Sequence, residues 1–184
     1  VMTRARMVFD NETRHRAGGG SAVMNQRNEA PNALDDFPTP PWATRALLRI
    51  VFAELGLSID GATVLEPAAN RGIMSTVLQD DGATVTACDV HAYPDQVANA
   101  PRPRIGSFVG DEGDLLADVL SFTAQRFDFG ITNPPFALGL AFALRMLELC
   151  RHVAILQRSN WSEGGERYTE LFGRHAPLAE AQFV

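Results

Sequence analysis

The sequence predicts an α/β fold, a doubly wound and mostly parallel sheet in three α/β/α layers. Three observations carry this. Short apolar runs of strand length alternate along the chain with segments whose apolar residues recur at helical spacing. The intervals between those runs suit parallel crossovers, which lay helices on both faces of one sheet. The 184 residues, 46% hydrophobic and 21% charged, also suit a single domain, which at this size buries roughly 70% of the surface its unfolded chain exposes.

Residues 1–34 show no sustained period, and Gly18-Gly19-Gly20-Ser21 is flexible-linker chemistry, so this stretch reads as a disordered tail. The folded domain is expected over 35–184. Its Pro-rich turn, Phe37-Pro38-Thr39-Pro40-Pro41, starts a helix in which Ala46, Leu47, Ile50, Val51 and Leu55 recur at helical spacing up to Gly56. Thr63 to Glu66 is the first strand, Ile73 to Gln79 a helix, and Ala83 to Cys88 the second strand. Ile105 to Val109 is a weaker third strand and Leu115 to Phe122 a short helix. Phe127 to Thr132 is the fourth strand, Leu138 to Cys150 a long apolar-striped helix, and His152 to Leu156 the fifth strand. Ala179 to Val184 begins a sixth, and the chain stops inside it. With Val at position 1 as well, the sequence reads as a piece of a longer frame whose final strands are missing.

Composition excludes several classes. A net charge of −6 argues against a surface that binds nucleic acid everywhere. A local basic groove remains open and would be built from arginine, because all 16 basic residues are Arg. Cys88 and Cys150 lie far apart in apolar stretches, without the paired spacing of a zinc site or a disulfide framework, so reduced buried thiols and a cytoplasmic protein are expected. No apolar run approaches the roughly 18 residues of a membrane span, so no membrane partner is expected. His15, His91, His152 and His175 share no spacing, which supports neither a metal site nor a general base.

In open α/β sheets ligands bind at the carboxyl ends of the strands, where strand order reverses. The first strand ends in Glu66-Pro67-Ala68-Ala69-Asn70-Arg71-Gly72, a tight turn into a helix N-terminus that lacks both the G-x-G-x-x-G and the G-K-[ST] fingerprints. From this segment alone, a polar-ligand turn and an ordinary strand-to-helix turn stand level. The second strand ends in Asp89, where a carboxylate accepts both hydroxyls of a ribose or caps a loop. Asp114, ahead of Leu115-Leu116, caps its helix or accepts from an exocyclic amine. The sharpest element is the fourth strand running into Asn133-Pro134-Pro135-Phe136. Two prolines forbid both continued strand and immediate helix, so the backbone is forced into a rigid loop. There the Asn133 side-chain oxygen and the Pro134 carbonyl can aim at one amino group, while Phe136 offers a ring face to a planar base.

At these residues the chain resembles class I S-adenosylmethionine-dependent methyltransferases of the amino-methylating DNA type. It is similar in particular to phage-like DNA adenine methyltransferases whose cofactor motif precedes the catalytic motif. The likeness runs from Asp35 to the C-terminus and implies a Rossmann-like sheet. It implies that Phe37, Pro38, Thr39 and Pro40, in the opening motif, line the methionine end of the cofactor. Glu66, Pro67, Ala68, Asn70 and Gly72 correspond to the cofactor turn, with Glu66 toward the cofactor's amino group. Asp89 with Val90 corresponds to the ribose-binding strand end, and Asp114 with Leu115 to the residues that read the cofactor adenine. Asn133, Pro134, Pro135 and Phe136 correspond to the catalytic loop, Asn133 also facing the cofactor. Relatives commonly carry Gly where this chain has Asn70, and Asn is the next-best residue for positive φ.

The implied reaction is in-line methyl transfer to the N6 amine of an adenine flipped out of duplex DNA. Similar motifs occur in enzymes that methylate a protein glutamine amide or a ribosomal RNA guanine amine. The Pro-Thr-Pro turn leading straight into the cofactor motif favours DNA. A non-catalytic cofactor-binding remnant is the alternative of another class. Ser159-Asn160-Trp161 and the segment through Tyr168 resemble the loop near the target base, with Trp161 either stacking there or packing the next helix.

Overall fold

The computed structural model describes residues 36–109 and 126–182. The expected tail, the helix over Leu115 to Phe122, and Asp114 and Leu115 as ligands lie outside the described residues. Five strands form one sheet in the order β3-β2-β1-β4-β5, every neighbouring pair parallel. They are β1 (Thr63–Glu66), β2 (Thr84–Asp89), β3 (Arg104–Ile105), β4 (Phe127–Thr132) and β5 (Cys150–Ile155). The chain winds outward one way from β1 to β2 and β3, then crosses back to β4 and β5. The strand order therefore reverses between β1 and β4, whose register pairs Val64 with Phe129 and Leu65 with Gly130.

Helices cover both faces. On one lie α1, which runs Pro41–Ala46 and continues through Leu47–Phe52 in wider π-type turns, and α2 (Ile73–Asp80). Pro41 begins α1 because its missing N–H would have no partner there and its fixed φ is already helical. Gly56, at φ +67, ends it: Gly56 N–H donates to Ala53 O and Leu57 N–H to Phe52 O, so the final carbonyls are satisfied by a left-handed glycine. This face buries Phe52, Met74 and Leu78 against Val64, Phe129 and Ile131. On the other face, α3 (Gly139–Leu149) buries Phe142, Met146 and Leu149 with Leu65, Cys88 and Cys150. Gly130 lets α3 approach: a Cβ there would stand 2.6 Å from Met146 Cε and 2.8 Å from Cys150 Sγ. Both thiols are buried, and burial pushes Cys88 up to about 11 and Cys150 up to about 12.

Three expectations are corrected. The third strand is only Arg104–Ile105; past it Ser107 Oγ donates to Val109 O at 2.5 Å and Phe108 turns into the interior against Phe142, so the apolar run packs into the core instead of extending the sheet. Cys150 opens β5 and does not end α3; Arg126 donates to the carbonyls of Leu147 and Glu148 and closes the helix one residue earlier. Residues 179–182 form no strand and are exposed, because nothing described pairs with them. After β5 the chain instead makes a short helix, α4, over Gly165–Arg167 that continues in wider turns through Tyr168–Phe172.

Candidate functional site

The carboxyl ends of β1, β2 and β4 meet at the reversal point. Glu66 closes β1 and is buried. The turn after it holds Asn70 at φ +51 and Gly72 at φ +83. A Cβ on Gly72 would come 2.5 Å from Ala100 Cβ, so position 72 requires glycine for both conformation and space. Asp89 stitches this turn to β2: its Oδ2 accepts from Asn70 N–H at 2.7 Å and its Oδ1 from His91 N–H at 2.9 Å. A carboxylate offers about four lone-pair sites, so these two bonds leave capacity for a further pair of hydroxyls.

Glu66 accepts a short hydrogen bond from Ser75 Oγ on α2. Burial raises its carboxyl to about 8, the neighbouring Asp89 charge adds to the rise, and the serine only partly opposes it. Burial wins because the carboxylate form would sit in an apolar wall with one donor.

Arg71, which sequence reasoning left without a role, clamps the rim. Its guanidinium forks onto Asp36, Nη1 to Oδ1 at 2.5 Å and Nη2 to Oδ2 at 3.0 Å, while Nε donates to Asp95 at 2.7 Å. Hydrogen bonds from Arg71 hold both carboxyls below the ordinary range. The same guanidinium lies 4.8 Å from the centre of the Tyr93 ring. Asn70 Nδ2 also reaches Asp36 at 2.9 Å, and Gln96 Nε2 reaches the Asn70 carbonyl at 2.8 Å. Segments 36–40 and 91–97 are thereby drawn against the turn from opposite directions.

The Asn133-Pro134-Pro135-Phe136 loop closes the site from β4. Asn133 Nδ2 donates to Thr39 Oγ1 at 3.0 Å and to Phe37 O at 3.4 Å. The amide is thus fixed by the Pro-Thr-Pro turn, and among the described residues its Oδ1 accepts nothing. Pro134 is buried, and Leu138 N–H donates to Pro135 O at 2.9 Å as the loop enters α3. The Phe136 ring lies 5.9 Å from that of Phe37, tilted 37°, and Arg158 stands over it at 4.4 Å.

These walls enclose a cavity of about 220 Å³. Phe37, Pro38, Thr39, Glu66, Pro67, Ala68, Asn70, Asp89, Val90, Asn133 and Pro135 line it. Pro40, Gly72, Pro134 and Phe136 do not: Pro40 caps α1, Gly72 shapes the turn, Pro134 is packed away and Phe136 lies beside Phe37 of the lining. Sequence reasoning missed Arg71, Tyr93, Phe108 and Leu138, which also line it. Phe108 carried the pattern of a strand, and nothing local marks Tyr93. Trp161 packs edge-on to Phe172 at 5.9 Å, whereas Tyr168 is exposed. Among the described residues no three His, Cys, Asp or Glu side chains gather as a metal site.

A parallel sheet in this order, with its cavity at the reversal point, is a Rossmann-like doubly wound fold. The chain superposes on a proposed RNA methyltransferase from Pyrococcus horikoshii with a TM-score of 0.52, at 22% identity over 74% of this chain and 67% of that one. It is also 34% identical over 87 residues to a demethylmenaquinone methyltransferase of Beutenbergia cavernae, a match covering 47% of this chain. The matched stretch spans 36% of the length of that relative. No family model matches the chain. Among the described residues no helix is long and apolar enough to cross a membrane.

Proposed function

We propose that this chain transfers a methyl group from S-adenosylmethionine to the N6 amine of an adenine flipped out of duplex DNA. The observation that carries the reading is the anchored Asn133 amide. Thr39 and the Phe37 carbonyl take its nitrogen, which leaves the oxygen as acceptor on a residue that lines the cavity.

The cavity's donor set fits the cofactor. Glu66 suits its amino group, Asp89 has lone pairs to spare for ribose hydroxyls, and Val90 and Phe108 give apolar surface for its adenine. When bound, the cofactor supplies an electrophilic methyl on a sulfonium.

An amine conjugated to an aromatic ring is a poor nucleophile. Asn133 Oδ1 accepts one of its protons, and the Pro134 carbonyl is the second acceptor that the resemblance implies, although the buried Pro134 is not part of the cavity wall; such acceptors favour a pyramidal nitrogen and stabilise positive charge as it develops. Both acceptors sit on a loop that two prolines stiffen, so little reorganisation is needed during the reaction. Phe136 stacks on the base and sets the direction of its amine, and this positioning lowers the barrier further. Proton removal follows transfer and needs no strong base.

The test is incubation with S-adenosylmethionine and unmethylated duplex DNA, digestion to nucleosides and mass detection of N6-methyladenine, with ribosomal RNA in parallel. N6-methyladenine from the DNA is expected. Methylated guanine from the RNA would replace the reading with the RNA alternative. Silence in both, with S-adenosylhomocysteine still bound, would favour a non-catalytic cofactor-binding protein.

A further inference from the structure

Arg158 lies over the ring of Phe136. Thr132 pairs with Ile155, and Leu156 N–H donates to Thr132 O at 3.0 Å, so the chain leaving β5 runs beside the chain leaving β4. Two residues further on, the Arg158 guanidinium lies over the Phe136 ring at 4.4 Å. The segment is fixed from behind. A Cβ on Gly139 would come 2.5 Å from Gln157 Nε2 and 3.0 Å from Trp161 Nε1, so residues 157 and 161 seat on bare backbone at the start of α3. Arg158 itself is exposed. Arg71, Arg145 and Arg174 each hold a carboxylate, whereas among the described residues none lies within ion-pair reach of Arg158.

We propose that Arg158 covers Phe136 in the substrate-free protein and, when the target base takes that ring face, moves off to bind the phosphate of the same nucleotide. This rests on the DNA reading above and names the group that engages the substrate's backbone. A guanidinium is planar, like the base that displaces it, and its contact with the ring is weak while it stays in water. The base gains a stacking surface in exchange. The freed guanidinium presents a fork of donors that matches phosphate oxygens, and among the described residues no carboxylate competes for it. A substrate without phosphate, such as a protein amide, would displace the arginine and give it nothing in return.

The experiment compares the full chain with Arg158→Met and Arg158→Lys, using short unmethylated duplex DNA as the probe. Steady-state methylation, DNA affinity across a salt series and S-adenosylhomocysteine affinity are measured for each. Arg158→Met is expected to raise KM for DNA about tenfold or more, and to make the slope of log affinity against log salt shallower by about 0.9, the loss of one phosphate contact. Arg158→Lys should restore the slope, and S-adenosylhomocysteine affinity should be the same in all three. If the wild type methylates DNA and Arg158→Met keeps both its KM and its salt slope, the proposal is overturned and the DNA reading stands. If the wild type methylates RNA instead, the DNA reading fails, and the same slope measured on RNA upholds the phosphate role when it becomes shallower and overturns it when it does not. Failure of the wild type to bind either polynucleotide overturns both.

Discussion

Glu66 is the residue whose replacement says most about how the site is built. Its carboxyl is buried, hydrogen-bonded by Ser75 and raised from 4.5 to about 8, chiefly by burial. In the unfolded chain the same group ionises near its ordinary value. Between these two values the folded state binds the extra proton, so stability falls as pH rises through the window and is flat on either side of it. Each pH unit of separation is worth about 1.4 kcal/mol, so the full fall reaches about 5 kcal/mol. Glu66→Gln keeps an acceptor for Ser75 and cannot ionise. The difference in unfolding free energy between Glu66→Gln and wild type should therefore grow by about 4 kcal/mol in the variant's favour between about pH 5 and pH 9, the start of the fall lying below pH 5. Urea denaturation of both proteins at the two values measures it, and the subtraction cancels the carboxylates they share. A difference that stays constant to within about 1 kcal/mol, the scale of extrapolation error, would refute the claim that burial governs this carboxyl.

Four further outcomes follow from the geometry. Gly130→Ala should destabilise the fold by about 1–3 kcal/mol, because the new Cβ meets Met146 and Cys150 in a filled core; a neutral or stabilising effect in denaturation would show that α3 can retreat. Asn133→Ala should lower the methylation rate about 100-fold or more with S-adenosylhomocysteine affinity nearly unchanged, since it removes an acceptor aimed at the amine; equal loss of both would point to misfolding. Thr39→Val should slow the reaction about tenfold by releasing the Asn133 amide, as read by single-turnover kinetics. Asp89→Ala should weaken S-adenosylhomocysteine about tenfold in calorimetry, before any effect on the rate at saturating cofactor, because Asp89 holds the Asn70 and His91 backbone as well as facing the cavity.

The class of fold was legible because its signals are local. Alternating strand and helix patterns fix a parallel sheet once crossover handedness is imposed, whereas the reversal point between β1 and β4 is seen only in the assembled sheet. Boundaries were less secure where both neighbours are apolar. Leu149 and Cys150 look alike to periodicity, and contacts across more than 20 positions, the Arg126 cap and the pairing of Cys150 with Phe127, mark where the helix ends. The run from Ile105 to Val109 misled for a related reason. An apolar residue records that it is buried without recording what buries it, and Phe108 is buried in the wall of the cavity.

The sequence by itself determined the doubly wound sheet, the two strand-end loops and the residue types that give the site its chemistry. Each depends on backbone limits within a few residues: the prolines that stiffen the loop after β4, the positive φ that Asn70 and Gly72 tolerate, and the apolar period of the helices. Only the tertiary structure decided how those pieces are held. Asp36 meets Arg71 across 35 positions, Thr39 meets Asn133 across 94, and Arg158 settles on Phe136. Such contacts join residues whose separation along the chain carries no signal, because the distance between them is set by how the layers pack and not by any local preference of either residue.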